Sequence, residues 1–101
     1  MNQYMLLHIG FEKPTPEIMA AWGEWMGATG AAFVDMGAPV GAIMTVGADS
    51  VVDGGGANPV GGYGIVEAPD MAAACEIAKG CPVVTLSGGT VEVGETFEIN
   101  M

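Results

Sequence analysis

One histidine stands in the chain, His8, and it sits in the apolar run Tyr4-Met5-Leu6-Leu7-His8-Ile9. Imidazole is the side chain whose ordinary pKa lies closest to neutrality, so His8 is the first candidate for proton transfer. A second polar residue interrupts another apolar row: Glu95 falls among Val91, Val93, Phe97 and Ile99. On a regular strand that alternation aims its carboxylate inward, where desolvation raises a carboxyl pKa. A bulge at Gly94 turns it to solvent instead. If the first and last strands are neighbours, His8 and Glu95 form a pair able to move a proton, each opposing the other's burial shift. The competing reading makes His8 a hydrogen-bonded core residue.

Three further residues qualify as contributors. Asp53 precedes a glycine-rich loop, Gly54 to Pro59, and either caps that turn through its side chain or supplies a hydrogen bond to substrate or imidazole. Tyr63 opens a strand beside paired glycines and is able to direct its hydroxyl into a pocket. Trp22 belongs to the stripe Met19, Trp22, Trp25, Met26, whose spacing is that of a core-facing helix side, and it is the stripe's candidate ligand contact. The Gly54–Pro59 loop lacks the lysine and hydroxyl of a phosphate-binding loop and is a conformational turn. No cofactor motif is present, and one histidine with two cysteines off any zinc spacing makes no closed metal site.

Composition narrows the partners. Twelve acidic and two basic residues give a formal charge of -10, with no arginine, and Lys13 and Lys79 lie far apart. That leaves no basic footprint for nucleic acid or an anionic membrane. The N-terminus lacks a positive signal-peptide region, and the longest uncharged stretches, 36–48 and 54–66, fall short of the about 20 residues of a spanning helix. A cytoplasmic location follows as the expectation. Cys75 and Cys81, six positions apart across an expected helix end, are roughly 9 Å apart on a helical rise, too far for a disulfide. Both are expected to be reduced and uncatalytic, with Cys75 buried.

The elements that must position these residues follow from local signals. Residues 3–9 are a short run, apolar on both alternating faces and closed by Gly10, as in a central strand. Thr15-Pro16-Glu17 supplies an N-cap, a first-turn proline and a first-turn acid; helix one runs to Thr29, with Ile18, Met19, Trp22, Trp25 and Met26 inward and Gly30 as its stop. Gly23 and Gly27 on that helix suggest close approach of another backbone. A hairpin pairs Ala42–Val46 with Ser50–Asp53, a strand covers Gly62–Ala68, and Asp70 caps a second helix with Met71, Ala74, Cys75 and Ala78 inward. Gly80 provides a left-handed cap, Pro82 blocks continuation, and Gly88–Asn100 is the last strand.

This order is that of one α+β domain spanning 1–101, a ferredoxin-like βαββαβ unit with an antiparallel sheet and both helices on one face. An apolar first strand then leaves the other sheet face uncovered, which a second copy packed face to face would cover, with a small-molecule cavity at the dimer core.

Tyr4-Met5-Leu6-Leu7, Asp53-Gly54, Gly62-Tyr63, Lys79-Gly80-Cys81-Pro82 and Gly89-Thr90-Val91-Glu92-Val93 together resemble the YCII-related family, over nearly the whole chain. The resemblance implies a dimeric α/β barrel like that of muconolactone isomerases. The family's longer-studied branch carries Asp-Gly-Pro-Phe, whereas here Asp53-Gly54 continues as Gly55-Gly56-Ala57-Asn58-Pro59. Some members are associated with a His and Asp pair whose histidine lies on or near the first helix; helix one here has no histidine, so that pair does not carry over. Three functions follow as expectations: an isomerase or lyase using His8 or Glu95 as acid or base, a binding module that holds a small apolar or aromatic metabolite without reacting it, and a structural dimer accessory to another protein.

Overall fold

The computed structural model describes residues 1–10, 15–56 and 59–98. The elements run β1 (Asn2–Ile9), α1 (Pro16–Thr29), β2 (Phe33–Pro39), β3 (Met44–Val46), β4 (Val51–Asp53), β5 (Val60–Ala68), α2 (Met71–Lys79), α3 (Pro82–Thr85) and β6 (Thr90–Glu95). A single 3-10 turn, Gly30–Ala32, joins α1 to β2. Four strands make an antiparallel sheet in the order β2-β5-β1-β6, so the first and last strands are neighbours, as in the ferredoxin-like α+β arrangement. The β3–β4 hairpin forms where expected, but as a separate two-stranded sheet inserted between β2 and β5.

The sheet's second strand is therefore Phe33–Pro39, a segment without a strand-like pattern. It is tolerated because β2 is an edge, where a proline need not donate to a neighbour. Two register shifts against β5 accommodate Asp35 and Gly37. Gly37 holds φ at +68°, and its N–H is received by Asp35 Oδ1 at 2.8 Å.

Helix starts follow the local chemistry. Thr15 Oγ1 accepts from the Ile18 amide at 3.2 Å, and Asp70 Oδ1 from the Ala73 amide at 2.8 Å. The ends depart from expectation. Gly80 closes α2 at φ -82°, right-handed rather than left-handed, and Pro82 does more than stop α2: it occupies the first turn of α3. β6 ends at Glu95, leaving Phe97 80% exposed rather than in an inward row; Ile99 and Asn100 lie outside the described residues.

The core forms where Tyr4, Leu6, Val66 and Ala68 of the sheet meet Trp25 of α1, Ala74 and Ala78 of α2, and Cys81 and Val83 at α3. Ala74 and Ala78 bring α2 close to the strands, while Cys75 is only half-buried and Met71 exposed. Met19 is also mainly exposed, so α1 turns Ile18 and Trp25 inward with Trp22 and Met26 half-buried beside them. The expected backbone approach at Gly23 and Gly27 is absent among the described residues: a Cβ on either meets no atom within 4 Å. On the opposite sheet face Met5 is exposed, and Leu7 and Ile65 are half-buried.

Candidate functional site

A cavity of about 580 Å³ lies between α1 and the β2–β5 side of the sheet. It exists because the β5 positions paired with Leu6 and His8 are Gly64 and Gly62, which put no side chain above the strand. A Cβ on Gly64 would come 2.7 Å from Phe33 Cε1, so that glycine is what admits the Phe33 ring over β5. A Cβ on Gly62 would come 3.2 Å from the Ala38 carbonyl oxygen and 3.5 Å from His8 Cδ2. Met19, Trp22, Trp25 and Met26 of α1 and Phe33 and Met36 of β2 supply apolar walls, and Gly37–Gly41 forms a rim. The volume falls within the about 300–1,000 Å³ of small-molecule sites.

His8 is the polar residue in this wall, 5% exposed on β1. Its ring stands edge to face with Trp22 at 5.1 Å and with Trp25 at 6.2 Å between centroids. Trp22–Trp25 and Trp25–Phe33 repeat that geometry at 5.6 and 5.5 Å, so the four rings brace one another. Trp25 Nε1 donates to the Ile77 carbonyl at 3.1 Å, which ties the cluster to α2. On its other side, His8 Nδ1 lies 3.4 Å from Cys81 Sγ. Burial lowers the His8 pKa below 6.5 and pushes the Cys81 thiol up to about 11. The Val84 amide donates to the Cys81 carbonyl at 2.9 Å, and no side-chain cap forms on the sulfur. At neutral pH both groups are uncharged.

The expected His8–Glu95 pair does not form. Glu95 is paired with Tyr4, whereas His8 is paired with Val91. Four residues of strand separate the two positions, about 13 Å, and Glu95 is exposed at the strand end. By register both stand on the helix side of the sheet rather than toward a dimer core, a facing the sequence left open. Asp53 is exposed in β4 opposite Met44, away from the cavity. Tyr63 borders the cavity, but its pairing with Leu7 assigns its ring to the helix-free face, so it contributes main chain. Trp22 lines the cavity. The described cavity lies within one chain, on the helix side of the sheet rather than on the face expected to dimerise.

Cys81, Phe33 and Met36 were not among the sequence candidates. Phe33 and Met36 were missed with β2 itself. Cys81 reaches His8 across 73 residues of chain, a contact no local pattern encodes. Among the described residues no group of three or more His, Cys, Asp or Glu side chains is placed to hold a metal ion. No helix among them is long and apolar enough to cross a membrane.

These features define a ferredoxin-like α+β fold with an apolar cavity against its sheet and a single imidazole in the cavity wall. The family profile of the YCII-related domain matches residues 10–100, and the chain belongs to the YCII-related family. Among curated proteins, none matches the chain significantly.

Proposed function

We propose that the protein binds a small, largely apolar molecule in the cavity between α1 and the sheet, with His8 as its polar contact and Trp22 as an apolar wall. The observation that carries this reading is a nearly buried imidazole set among hydrophobic side chains at the edge of a ligand-sized space. Native-state binding raises melting temperature by mass action, so a panel of neutral aromatic compounds is the direct test. The wild-type protein should shift, and a folded Gly62→Val variant, which puts a side chain beside His8 into the cavity, should not. Equal shifts in both proteins would remove the cavity from the reading.

A catalytic version, of the isomerase or lyase sort, rests on His8 alone. Its lowered pKa keeps the imidazole neutral, and this version requires the tautomer whose cavity-side Nε2 is bare, since only that nitrogen could accept a proton from a bound carbon acid. With Glu95 and Asp53 elsewhere, one group would have to take and return the proton. Solvent deuterium incorporation into a bound methyl ketone, lost in His8→Asn, separates this version from plain binding.

The homodimer belongs to the same reading. It is supported by the apolar side chains of Met5, Leu7 and Ile65 on a sheet face that carries no helix. The two free cysteines support a reducing, cytoplasmic location.

A further inference from the structure

Cys81 is wholly buried, does not border the cavity, and touches the imidazole in the cavity wall. We infer that Cys81 is a positioning residue that holds His8 as its Nε2–H tautomer, so that the cavity presents one hydrogen-bond donor to a neutral, planar, mostly apolar ligand bearing an acceptor oxygen, such as an aryl ketone. The inference rests on the cavity being a binding site and specifies what it binds.

Three observations carry it. The Sγ–Nδ1 separation of 3.4 Å is a hydrogen-bond distance for sulfur, and two uncharged groups share one proton between them. An imidazole nitrogen is a far better acceptor than a thiol sulfur, which favours the thiol proton pointing at Nδ1 over a ring N–H pointing at Sγ. A neutral imidazole that accepts at Nδ1 carries its hydrogen on Nε2. Among the described residues no hydrogen bond is made by Nε2, although the side chain is 5% exposed and lines the cavity.

The same surroundings set the ligand's charge. Among the described residues no lysine borders the cavity, the chain has no arginine, and the whole molecule carries -10. A carboxylate or phosphate would enter an apolar, negatively biased space with one neutral donor to meet it, at a desolvation cost that donor does not offset. A carbonyl oxygen needs only that donor. The thiol, for its part, is no nucleophile: with its pKa raised to about 11 and without a cation beside it, the thiolate is scarcely populated.

Because the chain has a single histidine, selective nitrogen-15 histidine labelling gives one imidazole spin system. Near neutral pH the wild-type ring should show a protonated Nε2 and a bare Nδ1. Cys81→Ala should mix the tautomers, and Cys81→Ser, whose hydroxyl also donates, should restore the wild-type pattern. A proton on Nδ1 in the wild-type protein overturns the inference whatever the variants do. The ligand arm compares acetophenone, isopropylbenzene and benzoate, followed by the Nε2 resonance and by melting temperature. Acetophenone should bind roughly tenfold tighter than isopropylbenzene, the worth of one buried hydrogen bond, and benzoate weakest. In Cys81→Ala the preference for acetophenone should shrink while isopropylbenzene affinity holds. Equal binding of acetophenone and isopropylbenzene, or benzoate binding best, overturns the ligand class while leaving the cavity a binding site. Failure of all three to bind removes the binding reading and the ligand class together, and the tautomer result by itself then upholds or overturns the role of Cys81.

Discussion

Trp25 of α1 donates its indole N–H to the carbonyl oxygen of Ile77 near the end of α2, at 3.1 Å, and its ring at the same time packs edge to face on Phe33. One side chain thus joins both long helices to the edge strand. Trp25→Phe keeps an aromatic body and loses the bond, while the Ile77 carbonyl retains the Gly80 amide as donor at 3.3 Å. The expected cost is about 1 kcal/mol for the bond, with part of the ring volume added. Trp25→Ala should cost about 3–5 kcal/mol through the void it leaves. Urea unfolding of the two variants checks the order; equal losses would mean that the bond, not the packing, dominates.

Three glycine-to-alanine changes should separate backbone conformation from space. At Gly37 a Cβ overlaps the Tyr63 carbonyl oxygen and φ is +68°, so strain and clash combine to about 2–4 kcal/mol and the β2 edge should loosen. Gly54, at φ +94° with open space around it, should cost about 1 kcal/mol from conformation alone. Gly23, inside α1 with nothing near, should gain about 0.5–1 kcal/mol. Melting temperatures in any other order would contradict the β2–β5 contact at Gly37.

The pH dependence of stability should carry a His8 component with a definite sign. Burial lowers its folded pKa below the ordinary 6.5, so the unfolded chain binds the proton more readily. The stability contribution is fully present above pH 6.5 and is lost as pH falls through the lowered folded value. His8→Asn should flatten that part of the profile. An unchanged slope just below pH 6.5 would mean that His8 titrates as it does in the unfolded chain.

Thiol accessibility should rank Cys75 before Cys81. Cys75 is half-buried on α2, whereas Cys81 is wholly buried with its thiol raised to about 11. Under native conditions iodoacetamide should modify Cys75 while Cys81 waits on opening of the fold. Peptide mass mapping over time reads the order, and early modification of Cys81 would contradict the burial of the His8 contact.

Local chemistry was legible in the sequence and nonlocal register was not. Thr15 and Asp70 announced both helix starts because a capping bond spans three residues. The hairpin around Gly47 was legible for the same reason, its Gly47 amide meeting the Ser50 carbonyl at 2.8 Å. β2 escaped notice because Asp35, Gly37 and Pro39 break strand patterning, and what permits them is an edge position known only from the assembled sheet. Glu95 and His8 share a face by alternation, but their distance depends on which residue each strand pairs with. The cavity was not legible, because the sequence placed it at a dimer core and the bare helix-facing positions Gly62 and Gly64 gain their meaning only from pairing with His8 and Leu6.

The proposed homodimer has a consequence specific to this chain. The molecule is a slab, 42 × 42 × 18 Å, and a standard interface would bury about 800 Å² of each protomer's surface on the helix-free face. Met5 and Ile65 are register partners there, so Met5→Lys combined with Ile65→Glu places opposite charges side by side within one sheet. That pairing spares the strand contact and makes the face costly to desolvate. Sedimentation at micromolar concentration should give twice the 10.2 kDa chain mass for the wild type and a single chain for the double variant, which should also melt earlier. Two copies each carrying -10 also repel, so added salt should tighten the dimer by screening that repulsion. A wild-type protein that sediments as a folded 10.2 kDa species, with no response to salt, would reject the assembly.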